Sequence, residues 1–103
     1  MKVFATNKSK LMPQVGRSVT IDNQKIAIFE ISDGRIFALA DQCPLTNGPI
    51  LEGLVSGEYV YEPMRDYKIS LVDGKIQEPD EGQVPVFPVT VKGDEIYVEF
   101  PQS

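Results

Sequence analysis

The chain has 103 residues, of which 42% are hydrophobic and 24% charged, the length and balance of one folded globular domain rather than of a disordered segment. Its formal net charge of −5 at pH 7 argues against binding to nucleic acid or to an anionic membrane surface. The longest apolar run, residues 36–40, is far too short to cross a bilayer.

The first segment of the chain, residues 1–8, is charged but lacks the apolar stretch of a secretory signal peptide, so we expect a cytoplasmic protein. No segment carries the uninterrupted apolar stripe of a three-turn helix. At most one helical turn is predicted, near residues 9–14 or 51–54.

Short runs rich in β-branched residues follow, with turn signals about every ten residues. Strands are predicted at residues 19–21, 25–31 and 35–39. The pair Asp33-Gly34, just before the third run, is typical of a type I′ hairpin turn, in which both central residues have positive φ.

Further strand candidates fill the second half of the chain, at residues 54–55, 59–61, 67–72 and 75–77. In the last hairpin, apolar and polar residues alternate through residues 89–92 and 96–100, which is the period of a half-buried strand. Pro85 and Pro88 lack an N–H donor, so the segment before that hairpin is an edge strand or an extended connection. We therefore predict an all-β fold, an antiparallel sandwich or barrel, formed by a single domain over residues 1–103.

The composition also limits the chemistry of the chain. Cys43 is the only cysteine, which excludes an internal disulfide, and there is no histidine. The commonest metal ligand and the commonest general base near neutral pH are therefore missing. No residue is predicted to be catalytic, and Cys43 is interpreted as a small buried hydrophobic residue rather than as a reactive thiol.

Two loops that contain prolines, residues 41–53 and 62–66, are the most informative part of the sequence. By themselves they are turns shaped by proline. Their layout resembles the motif of Rieske iron–sulfur proteins, Cys-x-His followed by Cys-x-x-His, in which two thiolates and two imidazoles hold a [2Fe–2S] cluster. The run 48–53 resembles the Gly-Pro-Leu-x-x-Gly stretch that follows the first half of that motif. The resemblance implies the Rieske-type fold, with a small loop subdomain at about residues 41–74.

Three of the four ligand positions of this motif carry the wrong side chain. In the aligned frame Cys43 keeps the first thiolate, and Leu45 stands at the first histidine. Glu62 stands at the second cysteine, and Arg65 at the second histidine. Leucine has no donor atom, arginine offers no lone pair, and glutamate is a hard oxygen ligand poorly matched to iron–sulfur chemistry. These four are therefore vestigial ligand positions, and we expect no metal, cofactor or iron–sulfur cluster on this chain.

A Rieske scaffold without its ligands resembles the small subunit of assimilatory NAD(P)H-dependent nitrite reductases, as do the segments 51–57 and 79–82. The resemblance implies a non-catalytic subunit of an oxidoreductase in nitrate assimilation. Its partner would be the large subunit, which carries flavin, a [4Fe–4S] cluster and sirohaem and reduces nitrite to ammonia. Two alternatives stay open: a cluster-free Rieske-like ferredoxin or adaptor of another redox system, such as a ring-hydroxylating oxygenase, and a general protein-interaction module.

The tips of the two loops are the predicted docking surface for that partner, formed by Leu45, Met64, Arg65 and Asp66. The alternative is that Leu45 and Met64 fill the space of the missing cluster. Glu62 and Arg65 could pair across their loop, or remain separate solvated charges.

Overall fold

The computed structural model describes residues 1–100, and this part of the chain contains ten β-strands, one 3-10 turn at Lys8–Lys10 and no α-helix. The strands, in chain order, are β1 (Lys2–Asn7), β2 (Arg17–Ile21), β3 (Gln24–Glu30), β4 (Ile36–Ala40), β5 (Leu54–Ser56), β6 (Tyr59–Tyr61), β7 (Lys68–Ser70), β8 (Val86–Phe87), β9 (Val89–Lys92) and β10 (Glu95–Glu99). The predicted all-β class is confirmed. The same residues include no helix long and apolar enough to span a membrane.

The strands form three sheets, and the strands that pair within them are antiparallel. The strand orders are β1-β10-β9, β2-β3-β4-β8 and β5-β6-β7. Each strand of the third sheet is only three residues long, and the two proline-containing loops lead into and out of it. This sheet and its loops lie within residues 41–74, the range for which the sequence predicts a small loop subdomain.

The core is densest at β3, which lies between β2 and β4. Residues 26–29 of this strand are all completely buried, so both of its faces are covered, and its sequence is a continuous apolar run rather than an alternating one. In β10 the predicted alternation is found, because Ile96 and Val98 are completely buried and the residues between and around them are not.

The prediction of a type I′ turn at Asp33-Gly34 is wrong. Only Gly34 has a positive φ, of 94°, and its N–H donates to the Ile31 carbonyl oxygen at 2.9 Å. The connection is therefore a longer hairpin loop that ends in a left-handed glycine, which spares Asp33 the unfavourable backbone conformation. The turn between β2 and β3 has the two positive φ values instead, 50° at Asp22 and 65° at Asn23.

Strand β1 was not predicted from the sequence. A register shift between Phe4 and Thr6 in its pairing with β10 interrupts the alternation that would have indicated a strand. The 3-10 turn overlaps the start of the helical turn predicted at residues 9–14, whereas residues 51–54 are not helical. Strand β8 lies at the edge of its sheet, as predicted for the proline-flanked segment before the last hairpin.

Candidate functional site

The two informative loops meet at the same end of the third sheet. The Cys43 loop (residues 41–53) leads from β4 into β5, and the Glu62 loop (residues 62–67) joins β6 to β7. Leu54, Tyr61 and Lys68 are neighbours across the three strands, so one end of the first loop lies beside both ends of the second. The antiparallel order of the sheet therefore brings the two halves of the motif together.

Hydrogen bonds within the Cys43 loop fix the path of its backbone. The Cys43 N–H donates to the Gly48 carbonyl oxygen at 2.8 Å. The Asp41 carboxylate accepts the N–H groups of Ile50 at 2.8 Å and of Leu51 at 2.9 Å. Cys43 is completely buried, as its interpretation as a small hydrophobic residue requires.

The Glu62 carboxylate connects the two loops. Within its own loop, Oε1 accepts the backbone N–H groups of Met64 at 3.0 Å and of Arg65 at 2.6 Å. Across the loops, Oε2 accepts a hydrogen bond from the Thr46 hydroxyl at 3.0 Å. The same hydroxyl oxygen accepts the Gly48 N–H at 3.1 Å, so the bridge continues into the backbone of the Cys43 loop.

The predicted contact between Glu62 and Arg65 exists, but it is not an ion pair. Arg65 contributes its backbone N–H, while its side chain is exposed and forms no ion pair with Glu62 among residues 1–100. The alternative of separate solvated charges is wrong for Glu62, whose side chain is completely buried. Three hydrogen bonds to the Glu62 carboxyl oxygens offset much of the cost of removing this polar group from water.

The four predicted docking residues lie on the outside of the same loops. Leu45 is 44% exposed and Met64 65% exposed, and Arg65 and Asp66 are exposed as well. Such exposure disfavours the alternative that Leu45 and Met64 fill the space of a missing cluster. The surface instead combines two apolar side chains with two charged ones, a composition suited to a protein interface.

The residues at the four ligand positions do not fit a [2Fe–2S] cluster. Of the four, only Cys43 offers a soft donor, and the oxygens of Glu62 are already hydrogen-bonded to three groups. Leu45 and Arg65 have no electron pair to give to iron. Residues 1–100 also contain no group of three or more histidine, cysteine, aspartate or glutamate side chains placed to hold a metal ion.

Two residues that build the site, Thr46 and Asp41, were not singled out in the sequence. Thr46 forms the bridge to Glu62, and Asp41 holds two amides at the far end of the Cys43 loop. Asp41 stands where β4 gives way to a loop, a position at which aspartate often binds backbone N–H groups. The partner of Thr46 is sixteen residues away along the chain, so no local pattern indicates its role.

Comparison with known proteins gives this geometry a family context. A family model described as the Rieske-like [2Fe-2S] domain matches residues 3–99. No curated protein sequence matches the chain.

Three solved structures share the fold over nearly the full length of each chain. One, from Mycobacterium tuberculosis and provisionally described as an NADH-dependent nitrite reductase small subunit, is 24% identical with a TM-score of 0.91, covering 100% of this chain and 97% of that one. Another, provisionally described as the small subunit of an NADPH nitrite reductase, is 27% identical with a TM-score of 0.86, covering 97% and 99%. The ferredoxin of carbazole 1,9a-dioxygenase from Nocardioides aromaticivorans IC177 is 20% identical with a TM-score of 0.86, covering 95% and 96%.

Proposed function

This chain belongs to the Rieske-like [2Fe-2S] domain family, and from that membership we propose that it is a non-catalytic small subunit of an NAD(P)H-dependent nitrite reductase. The observation that carries the proposal is its likeness, at 27% identity over 97% of the chain, to a protein described as such a subunit. The loops support it because they expose a mixed apolar and charged surface where the donors for a cluster are missing.

In this proposal the chemistry belongs to a large partner subunit in the cytoplasm. That subunit would bind the nicotinamide, carry the flavin, the [4Fe–4S] cluster and the sirohaem, and reduce nitrite to ammonia in nitrate assimilation. The small subunit would supply a docking surface made of Leu45, Met64, Arg65 and Asp66 and no electron carrier of its own.

The direct test is affinity purification of the tagged chain from cells grown on nitrate. We expect a larger protein with the visible absorption of sirohaem to co-purify with it. Recovery of the folded chain without any sirohaem protein would contradict the assignment to nitrite reductase.

A second experiment tests the absence of a cluster. We expect the purified chain to stay colourless and EPR-silent after incubation with ferrous iron and sulfide under reducing conditions, because one thiolate and no imidazole cannot hold a [2Fe–2S] centre. The appearance of a Rieske-type EPR signal would overturn this part of the proposal.

A second candidate function is a cluster-free adaptor of another redox system. The likeness to the ferredoxin of a carbazole dioxygenase favours it, with a TM-score of 0.86. The purification separates the two candidates, since an oxygenase component in place of a sirohaem protein would identify the adaptor. A general interaction module would recover neither.

A further inference from the structure

Burial of a carboxylate without a cation needs a structural reason. Glu62 is completely buried and forms no ion pair with any residue from 1 to 100. Removing a carboxylate from water is strongly unfavourable unless its oxygens accept hydrogen bonds. A leucine would fill a similar volume without this penalty, so packing alone does not account for glutamate at this position.

The place of Glu62 in the motif supplies the reason. A Rieske cluster takes ligands from both halves of its motif, so the metal centre itself ties the two loops together. Here the donor set cannot hold that centre, and the loops need a different connection. The described contacts provide one at the second cysteine position, where Oε2 of Glu62 accepts the Thr46 hydroxyl at 3.0 Å.

We infer that the Glu62 carboxylate replaces the iron–sulfur cluster as the tie between the two loops, which makes Glu62 a positioning residue for the docking surface. Its Oε1 shapes the loop that carries Met64 and Arg65, through their N–H groups. Its Oε2 fixes that loop to Thr46, next to Leu45 in the Cys43 loop. The role in docking rests on the proposed function, whereas the tie itself is a property of the isolated chain.

Two pairs of variants separate hydrogen bonding from packing. Glu62→Leu removes both acceptor oxygens while keeping a similar side-chain volume. Glu62→Gln keeps one acceptor oxygen and gains an N–H group that can donate to the Thr46 hydroxyl. Thr46→Val removes the hydroxyl, and Thr46→Ser restores it. Glu52→Gln, which neutralises an exposed carboxylate in the Cys43 loop, is the matched control.

The measurement is amide hydrogen exchange by NMR, followed at the N–H groups of Gly48, Met64 and Arg65, with residues 26–29 of β3 reporting global unfolding. We expect Glu62→Leu and Thr46→Val to accelerate exchange at the loop amides by at least about tenfold, with little change in β3. Thr46→Ser, Glu62→Gln and Glu52→Gln should stay close to the wild type. Protection of the loop amides that survives in both Glu62→Leu and Thr46→Val would overturn the inference.

The Thr46 pair keeps the test decisive if Glu62→Leu fails to fold, because valine is nearly isosteric with threonine. Binding of the same variants to the purified large subunit then tests the role in docking. If a variant exchanged its loop amides faster and still bound the large subunit with unchanged affinity, that result would overturn the positioning role of Glu62 but not its role as the tie between the loops. Failure of the wild-type chain to bind contradicts the proposed function alone, since the exchange experiment needs no partner.

Discussion

Cys43 and Glu62 stand at the two cysteine positions of the motif, and both are completely buried, but for different physical reasons. A thiol is a weak hydrogen-bonding group that behaves as a small apolar side chain in a core. A carboxylate is tolerated there only because neighbouring donors satisfy it. One of the two positions thus belongs to the hydrophobic core, and the other to a hydrogen-bonded network.

Substitution of Cys43 tests its place in the core. We expect Cys43→Ser to lower the free energy of unfolding by about 1–2 kcal/mol more than Cys43→Ala, because serine buries a hydroxyl without an assured partner. Urea denaturation of both variants measures the difference. If Cys43→Ala abolished partner binding at unchanged stability, the thiol would have a role beyond packing.

The exposed hairpin loop between β3 and β4 predicts a pH dependence. The backbone N–H of Arg35 donates to the Asp33 carboxylate at 3.0 Å, and the Arg35 guanidinium donates to the same carboxylate at 2.8 Å. The pKa of Asp33 is held below its ordinary value mainly by the backbone hydrogen bond, and in addition by the guanidinium. A lowered pKa stabilises the fold above the unfolded-state pKa, and this contribution is lost as the pH falls through the folded-state pKa.

Thermal unfolding of wild type and Asp33→Ala checks this expectation. The wild type should have the higher Tm at neutral pH, by a small margin because the pair is exposed, and the difference should shrink in acid. Asp33→Asn, which keeps an acceptor but not the charge, serves as the control. A margin that widened on acidification would contradict the assigned sign.

At the scale of strands and loops, the sequence predicted a strand correctly where the burial of its faces determined the pattern of apolar residues. The buried run of β3 and the alternation of β10 each reflect how many faces of the strand are covered. Strand β1 was not predicted because a register shift interrupts the alternation of apolar and polar residues along it. The turn at Asp33-Gly34 was misassigned because Asp-Gly suits more than one hairpin geometry, and the number of residues in the loop decides which one forms.

The loop tips carry the prediction that bears most directly on function. We expect the double variant Leu45→Asp and Met64→Glu to weaken binding to the large subunit by more than about tenfold, since charges would replace apolar contact area at the interface. Isothermal titration or a pull-down measures the loss. Val72→Asp, at another exposed apolar position and beyond the opposite end of β7, is the control. Unchanged binding by a folded double variant would remove the docking assignment.

At the scale of the whole molecule, the described residues span 38 × 33 × 18 Å, and both proline-containing loops lie at one end of the third sheet. The motif frame predicted that these two loops would meet, because both halves of a Rieske motif contribute ligands to one cluster. It did not predict Thr46, whose role depends on a partner brought close only by the folded sheet. Nor did it predict that the hydrogen bond from Arg65 to Glu62 would come from the backbone.

The hydrogen bond between Thr46 and Glu62 also bears on whether the small subunit needs iron to fold. In the proposed cluster-free subunit, loops closed by a hydroxyl and a carboxylate would reach their final shape as the chain folds, without cluster-assembly proteins. In the proposed complex, iron starvation or oxidative damage to clusters would then not reduce the fraction of the small subunit able to dock. The large subunit needs iron for its own cofactors in the proposed complex, so its supply, and not that of the small subunit, would limit assembly when iron is scarce.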